Sequence, residues 1–420
     1  MSSVNNLVNG ADTVWLLISG ALVLFMTPGL ALFYGGMVRA KSTLNIMMMS
    51  FSAMGVTTII WVLYGYSISF GKDVAGIIGD LSHLGLGNTL DATVGSEGHQ
   101  VPTLAFAMFQ LTFAIITIAL LSGAIADRVK FSSWLVFVAA WVTLVYSPIA
   151  HWVFGGGWIM TKIGALDFAG GTVVEINSGA SALALALVIG KRIGFKRDQM
   201  RPHNLPLVLL GAGILWFGWF GFNGGSALTS GALASTALIN TQIAASAAAM
   251  TWLLTEKIRD GKATTLGIAS GAVAGMVAIT PACGFVNPLG ALIIGLISGA
   301  LSAWAVALKY KFNYDDSLDV VGVHGVSGLF GMLAIGILGT TTANAMGADG
   351  LFMNGGTALL EKQMIASVAV GLFAFTATYL IASFIEKTIG FRSSPDDEAT
   401  GLDQTYHAET AYDFSSISIR

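Results

Sequence analysis

Two ionisable residues, Glu175 and His324, lie inside long apolar stretches of this 420-residue sequence. An ionisable side chain is costly in the hydrocarbon core of a membrane, so each of them needs a partner or a cavity that water can reach. One interpretation is a hydrogen-bonded pair that joins two helices and has only a structural role. The interpretation that we favour is a pore lined by both residues, which handle a proton or a polar solute there.

The two residues occupy similar short segments, VEINSG at 174–179 and VHGVSG at 323–328. An aspartate precedes each segment, Asp167 before the first and Asp319 before the second. Helices that are five apart in chain order run in opposite directions, so this similarity predicts an inverted repeat of spans 1–5 and 6–10. Such repeats place the transport site at their interface, near the middle of the membrane.

Other candidates are one carboxylate and a set of aromatic rings. Asp167 can cap the helix that follows it, and the same carboxylate can stabilise a nearby cation without touching it. Phe109 and Phe113 lie four residues apart, on one helix face. These two rings, together with Phe154 and Phe222, could bind a cation over their faces. The rings could equally form an aromatic belt at the membrane surface or a packing stripe, and the residues alone leave this open.

The composition requires a membrane to hold these residues. Charged residues make up 10% of the chain and apolar residues 55%, whereas soluble domains carry about 25% charge. This excludes an ordinary soluble enzyme, a nucleic-acid binder and a disordered protein. No motif for a nucleophile with its base or for a phosphate loop is present, and we expect no enzymatic activity, no cofactor and no metal.

Apolar runs of about 20 residues predict membrane-spanning helices, so the expected fold is an all-α polytopic membrane protein. Residues 154–171 are expected to form a re-entrant or loop segment. The runs number eleven and cover roughly 12–36, 44–70, 102–126, 131–153, 172–190, 204–222, 235–255, 264–283, 288–308, 320–341 and 363–386.

The positions of the basic residues predict the orientation of these spans. With eleven spans, all of the 20 lysines and arginines except Lys72, Lys162 and Lys362 fall on one side. Because basic residues concentrate on the cytoplasmic side, the N-terminus is expected outside and the C-terminus inside. The chain then divides into a transmembrane domain, residues 1–386, and a cytoplasmic tail, residues 387–420, which is either a regulatory segment or a disordered end.

Several long motifs make the chain similar to the ammonium transporter (Amt/Mep/Rh) family, as a bacterial-type member with glutamate at the first mid-pore position. The resemblance covers nearly the whole chain. The motifs that carry it are GALDFAGGTVV at 164–174, WFGFNGGS at 219–226, TPACG at 280–284, DVVGVHG at 319–325, GLD at 401–403 and HAE at 407–409.

The resemblance implies a role for each candidate residue, and each residue is numbered by its position in this chain. Two departures from the family pattern stand out: Phe154 replaces the usual tryptophan, and Glu175 replaces the usual first mid-pore histidine, as in certain fungal members. The implied roles are an outer ammonium site of Phe109, Phe154 and Ser226 with Asp167 in support, a phenyl gate of Phe113 and Phe222, a mid-pore pair of Glu175 and His324, and supporting positions at Trp219 and Asp319.

The resemblance also implies the activity. An ammonium transporter would capture NH4+ outside, remove its proton and pass NH3, with methylammonium as an analogue. It would be a homotrimer in the cell membrane, with a PII-type signalling protein as a cytoplasmic partner and no nucleic-acid partner. The alternative is an ammonium sensor with little flux; a membrane enzyme and a Rh-like gas channel fit the residues less well.

Overall fold

The structure, a computed structural model, describes residues 7–412 and is helical almost throughout. Ten of its helices are long and apolar enough to cross a membrane, and a shorter apolar helix of 15 residues lies between the seventh and eighth of them. In chain order the eleven helices are α1 Gly10–Met37, α2 Ala40–Phe70, α3 Thr103–Ile125, α4 Phe131–Val153, α5 Gly171–Ile189, α6 Leu205–Gly225, α7 Ala232–Asp260, α8 Thr265–Ile279, α9 Pro288–Phe312, α10 Val321–Leu338 and α11 Ala358–Thr388.

Helix α8 is shorter than the predicted span 264–283 because its last residues form turns. Pro281 has no backbone N–H to continue the helical hydrogen bonds. The amide of Asn240 instead donates to the carbonyl oxygens of Cys283 and Val286, each at 2.8 Å. The irregular backbone is therefore satisfied inside the protein, which is the condition for such a segment at membrane depth.

The long connection between α2 and α3 contains two small antiparallel sheets. The strands Asp73–Val74 and Ile78–Gly79 pair with each other, as do Thr93–Val94 and Val101–Pro102. The buried ring of His151, near the end of α4, lies 2.9 Å from the Asp73 carboxylate. This hydrogen bond lowers the pKa of Asp73, and it fixes the connection to the helix bundle.

Helices α5 and α10 cross at the centre of the bundle, and each begins with a π-helical turn, Gly171–Ile176 and Val321–Val326. The two backbones touch at Gly179 and Gly325. A Cβ atom on Gly179 would lie 2.2 Å from the Cα atom of Gly325, which leaves no room for a side chain. The close approach brings the two π-helical turns, and the side chains that they carry, to one place.

The segment after α11 forms two short helices, α12 Pro395–Thr400 and α13 Leu402–His407. The Asp403 carboxylate accepts hydrogen bonds from the backbone N–H groups of Leu44 and Asn45. The described part of the predicted tail is thus docked on the start of α2. Residues 413–420 of that tail lie outside the described residues.

Candidate functional site

An open vestibule at one end of the bundle brings together most of the predicted outer-site residues. Phe113, Phe154, Asp167 and Ser226 all contribute to its wall. Phe109 is buried and lies behind Phe113, with 4.9 Å between the ring centroids.

Asp167 caps the N-terminal end of α5, and both of its carboxylate oxygens accept hydrogen bonds. Its Oδ1 accepts from the N–H groups of Gly170 and Gly171, at 2.8 and 2.6 Å. Its Oδ2 accepts from the N–H and the hydroxyl of Thr172, at 2.7 and 2.6 Å. Since these donors occupy both oxygens, Asp167 can act on a cation in the vestibule through its negative charge and through the backbone that it holds, rather than as a direct ligand.

The rings of Phe113 and Phe222 close the bottom of the vestibule. They stack with their centroids 4.2 Å apart and their planes 27° apart, and both are buried. Phe113 faces the vestibule, and Phe222 lines a second, enclosed cavity deeper in the bundle. The stacked pair therefore lies between the two spaces.

The enclosed cavity is mostly apolar and contains the Glu175–His324 pair. Nδ1 of His324 lies 2.7 Å from Oε2 of Glu175, and Oε1 of Glu175 is buried without a hydrogen-bond partner. Trp219 forms part of the wall, and its Nε1–H donates to the Thr280 hydroxyl at 2.8 Å. A carboxyl and an imidazole in hydrogen-bond contact can exchange a proton, and they are the principal ionisable groups of this dry space.

The inner end of the pore has a carboxylate in the same register as Asp167, but it is Asp316 and not the expected Asp319. Asp316 Oδ2 accepts from the backbone N–H of Val321, five residues later, as Asp167 Oδ2 does from Thr172. Glu175 follows Asp167 by eight residues, and His324 follows Asp316 by the same eight. This eight-residue spacing is present in the sequence, although the motif similarity pointed to Asp319 instead.

Asp319 has a different environment from Asp167. Its Oδ1 lies 2.6 Å from Nζ of Lys309, a side chain that is 8% exposed. Burial, followed by the neighbouring Asp319 carboxylate, raises the pKa of Asp316 to about 6, while Lys309 opposes the rise. The inner end thus contains two close carboxylates and one amine.

A network of ion pairs fixes the loop that carries these carboxylates. Arg192 contacts Asp315 with its Nε and Nη2 atoms, at 2.9 and 2.8 Å. Against the opposing effect of burial, Arg192 and Arg128 lower the pKa of Asp315 to about 2. Arg192 also approaches Asp127, which pairs with Arg39. The loop before α10 is therefore held in place by charge pairs.

Gln110 also lines the outer vestibule, although none of the sequence motifs pointed to it. Its side chain is 8% exposed, and its Oε1 has no hydrogen-bond partner. Its position between two aromatic residues of α3 does not indicate a functional role, because one glutamine in a helix usually has only a packing or surface role.

Comparison with known proteins shows which proteins this chain is similar to. The Ammonium Transporter Family pattern matches residues 14–412. An ammonium transporter of Mycobacterium tuberculosis is 52% identical, over 98% of this chain and 92% of that protein. Candida albicans Mep2 is 34% identical and superposes with a TM-score of 0.87, covering 94% of this chain and 88% of that one. A sensor Amt protein is 28% identical, with a TM-score of 0.86 and coverage of 94% and 98%.

Proposed function

Because the chain belongs to the ammonium transporter family, whose members are transporters and not enzymes, we propose that it captures NH4+ in the vestibule, removes one proton and passes NH3 through the enclosed cavity. The observation that carries this proposal is the hydrogen-bonded Glu175–His324 pair in an otherwise apolar space. Moving a bare cation through such a space costs tens of kcal/mol by Born solvation. The Born cost does not apply to NH3, because NH3 carries no charge.

The vestibule offers the chemistry that a small cation requires. The ring faces of Phe113 and Phe154 can hold NH4+ by cation–π attraction, worth about 2 kcal/mol or more when the ion is desolvated. The Ser226 hydroxyl donates to the Phe222 carbonyl at 2.8 Å, so its oxygen lone pairs can accept from NH4+. The charge of Asp167 adds long-range attraction. With phenylalanine in place of tryptophan at Phe154, we expect a weaker outer site.

The phenyl gate separates capture from passage. The stacked rings of Phe113 and Phe222 leave no polar group to replace the hydration shells of Na+ or K+. Once NH4+ releases a proton it becomes NH3, which can pass when the rings move apart. The gate therefore supports selection by chemistry, since NH4+ can become neutral at neutral pH and an alkali ion cannot.

The Glu175–His324 pair provides a route for the released proton. We propose that the carboxyl and the imidazole accept hydrogen bonds from NH3, or donate them to it, and that they relay the proton along the dry section. NH4+ yields NH3 and H+, both cross, and NH4+ forms again inside. Transport by this scheme carries one positive charge with each ammonium.

We also propose the assembly and topology that the family implies. The chain would cross the cell membrane eleven times, with α8 as the short span, an inverted repeat of α1–α5 and α6–α10, the N-terminus outside and the C-terminus inside. Three copies would form a homotrimer, with one pore in each subunit. Trp304 of α9 and Phe217 of α6 are 55 and 56% exposed, as expected for residues facing lipid or a neighbouring subunit. Native mass spectrometry would measure the number of copies.

The docked segment after α11 is proposed to regulate transport. Its Glu398 carboxylate accepts from the N–H of Ile193 at 2.7 Å and pairs with Arg392 at 3.1 Å. The segment thus contacts the connection between α5 and α6, which surrounds the inner vestibule. A PII-type protein that binds this face would reach both the tail and the vestibule.

Purified protein in liposomes tests the proposed function directly. Uptake of labelled methylammonium and the ammonium-dependent current should both appear, and NH4+ should compete with the label. Binding of ammonium without uptake would favour the sensor alternative, which is raised by the similarity to a sensor Amt protein.

A further inference from the structure

The two mouths of the pore differ in the charged side chains that line them. Among the side chains lining the outer vestibule, Asp167 has the one formal charge. The inner vestibule shares Met37 and Leu318 with the enclosed cavity, so it is the exit of the same pore. Its wall contains four basic and two acidic side chains, Arg192, Lys196, Arg197 and Lys309 against Asp198 and Asp319. Arg192 and Lys309 are each paired with a carboxylate, so the carboxylate of the inner mouth already has a cation, whereas Asp167 at the outer mouth is in no ion pair among the described residues.

The amine of Lys309 occupies the inner mouth in the manner of a bound alkylammonium ion. Its Nζ lies 2.6 Å from the Asp319 carboxylate and 3.0 Å from the backbone carbonyl oxygen of Asp316. The same nitrogen lies 5.5 Å from the centre of the Tyr310 ring. A carboxylate, a carbonyl and an aromatic ring are the groups that would coordinate free NH4+, and the lysine fills that place.

We propose that Lys309 is a resident cation that prevents cytoplasmic ammonium from occupying the inner mouth. The inference rests on the proposed function, because it concerns the exit of the same pore. In the outer half, the described residues place no basic side chain in an ion pair with Asp167, so that mouth is open to NH4+. In the inner half, the site beside Asp319 is permanently occupied. The two halves of the inverted repeat therefore differ chemically, because in the described part of the chain only the inner half has an amine at its carboxylate.

This arrangement acts on NH4+ and not on NH3. Neutral NH3 has no charge with which to displace the amine, whereas NH4+ accumulated in the cytoplasm would have to displace it from the Asp319 carboxylate in order to bind there. The amine does not change the equilibrium distribution of ammonium, since a passive pore cannot. It raises the internal ammonium concentration at which product would block the exit.

The test is the initial rate of labelled methylammonium influx into right-side-out membrane vesicles preloaded with increasing unlabelled ammonium. The vesicles come from cells that lack other ammonium transporters, and KCl of equal osmolarity serves as the internal control. In the unmodified protein, influx should fall to half its initial rate only at a high internal ammonium concentration. In Lys309→Met, half-inhibition should move to an internal concentration lower by about tenfold, the effect of roughly 1.4 kcal/mol.

Two matched variants separate the resident cation from other roles of the lysine. Lys309→Arg keeps the positive charge and should behave as the unmodified protein does. Lys196→Met removes an exposed charge from the rim of the same vestibule and should leave the inhibition curve unchanged. If Lys309→Met does not fold, the double variant Lys309→Met/Asp319→Asn, compared with Asp319→Asn alone, gives the same measurement without an unpaired carboxylate. Each curve is scaled to the same variant's influx at zero internal ammonium.

The outcomes distinguish this inference from the proposed function. No influx in the unmodified protein would overturn the proposed function. Normal influx, with the same inhibition curve in Lys309→Met as in the unmodified protein, would overturn the resident-cation proposal alone. Equal sensitisation by Lys196→Met would also overturn it, since the effect would then belong to the overall charge of the vestibule.

Discussion

At the residue scale, the pore depends on carboxylates with three different environments. Asp167 is saturated by backbone donors, Glu175 shares a hydrogen bond with His324, and Asp319 pairs with Lys309. A carboxylate's partners decide whether it attracts a cation through its field, exchanges a proton or is neutralised. In the proposed function, the same functional group would therefore do three kinds of chemistry along one path.

Replacing Asp167 with alanine should lower methylammonium uptake by at least about tenfold, or about 1.4 kcal/mol in the transport barrier. The substitution removes both the negative charge and the acceptor for the N–H groups at the start of α5. Asp167→Asn keeps acceptor oxygen without charge and should give an intermediate rate. Full uptake by Asp167→Ala in correctly assembled protein would contradict a role for this carboxylate.

Replacing Glu175 with glutamine should alter the dependence of uptake on external pH, or the selectivity for ammonium over K+. Glutamine keeps the hydrogen bond to His324 but cannot accept a proton. Glu175→His, which restores the usual pair of the family, should retain transport. The measurement is uptake at a series of external pH values. An identical profile for Glu175→Gln would mean that the carboxylate does not titrate during transport.

At the scale of elements, the functional pair exists because α5 and α10 approach at glycines. Gly179 and Gly325 allow backbone contact, and each π-helical turn then places one ionisable side chain in the cavity. A larger residue at this crossing must push the two helices apart. The separation of Glu175 and His324 is thus set by residues that carry no side chain.

The substitution Gly179→Ala should reduce uptake strongly, because its Cβ atom would lie 2.2 Å from the Gly325 Cα. Gly325→Ala should be milder, since its Cβ would meet the Gly179 Cα at 3.2 Å. Gly55→Ala in α2 is the matched control, because nothing lies within 4 Å of its added Cβ. Uptake and the thermal unfolding midpoint are measured for all three. Equal uptake in Gly179→Ala and Gly55→Ala would contradict the packing argument.

The loop before α10 should lose stability when Asp315 is replaced by asparagine. In the folded protein the pKa of Asp315 is about 2, against an ordinary value of 3.8. A shift of this size corresponds to about 2 kcal/mol at neutral pH. Because the folded pKa is the lower one, this stabilisation is present above pH 3.8 and is lost as the pH falls toward 2.

Thermal unfolding in detergent at several pH values checks this prediction. Asp315→Asn should unfold at a lower temperature than the unmodified protein at pH 7, and the difference should shrink in acid. Asp198→Asn, an exposed position in the neighbouring connection, is the control and should change the midpoint little. An unaltered midpoint in Asp315→Asn would mean that the arginine pair contributes no net stability.

At the scale of the whole molecule, the outer vestibule, the phenyl gate, the enclosed cavity and the inner vestibule lie in series along one path. The enclosed cavity is the mostly apolar section of this path, and it contains the one carboxyl–imidazole pair of the described pore wall. In the proposed function, the proton and NH3 cross this section separately. The net charge per transported ammonium is a property of the entire path.

Ammonium should evoke a current in proteoliposomes, with a size proportional to labelled uptake. The reason is that the Glu175–His324 pair gives the released proton a route across the dry section. Current and uptake are recorded on the same preparation, with equal concentrations of KCl as the control. Uptake without any current would mean that the proton returns to the outer side.

The sequence by itself determined the class of the protein and identified the residues that are proposed to carry its chemistry. An apolar content of 55% requires a membrane, because a soluble protein this apolar could not cover its core with polar side chains. The family resemblance is confirmed, and of the outer-site, gate and mid-pore residues predicted from the motifs, all except the buried Phe109 line the outer vestibule or the enclosed cavity. These features are local: a motif of about ten residues is readable without knowledge of its neighbours.

Only the tertiary structure decided how distant segments meet. It paired the register of Asp167 with Asp316, where the motif similarity had indicated Asp319, and it ended α8 at Ile279, where the apolar run had indicated 283. It also placed Lys309 on Asp319, a contact that the sequence did not predict. Each of these depends on contacts between helices, through Gly179 against Gly325 or through Asn240 on two carbonyls. Periodicity and motif spacing describe one helix at a time, whereas the charge at a pore mouth depends on which helices pack there.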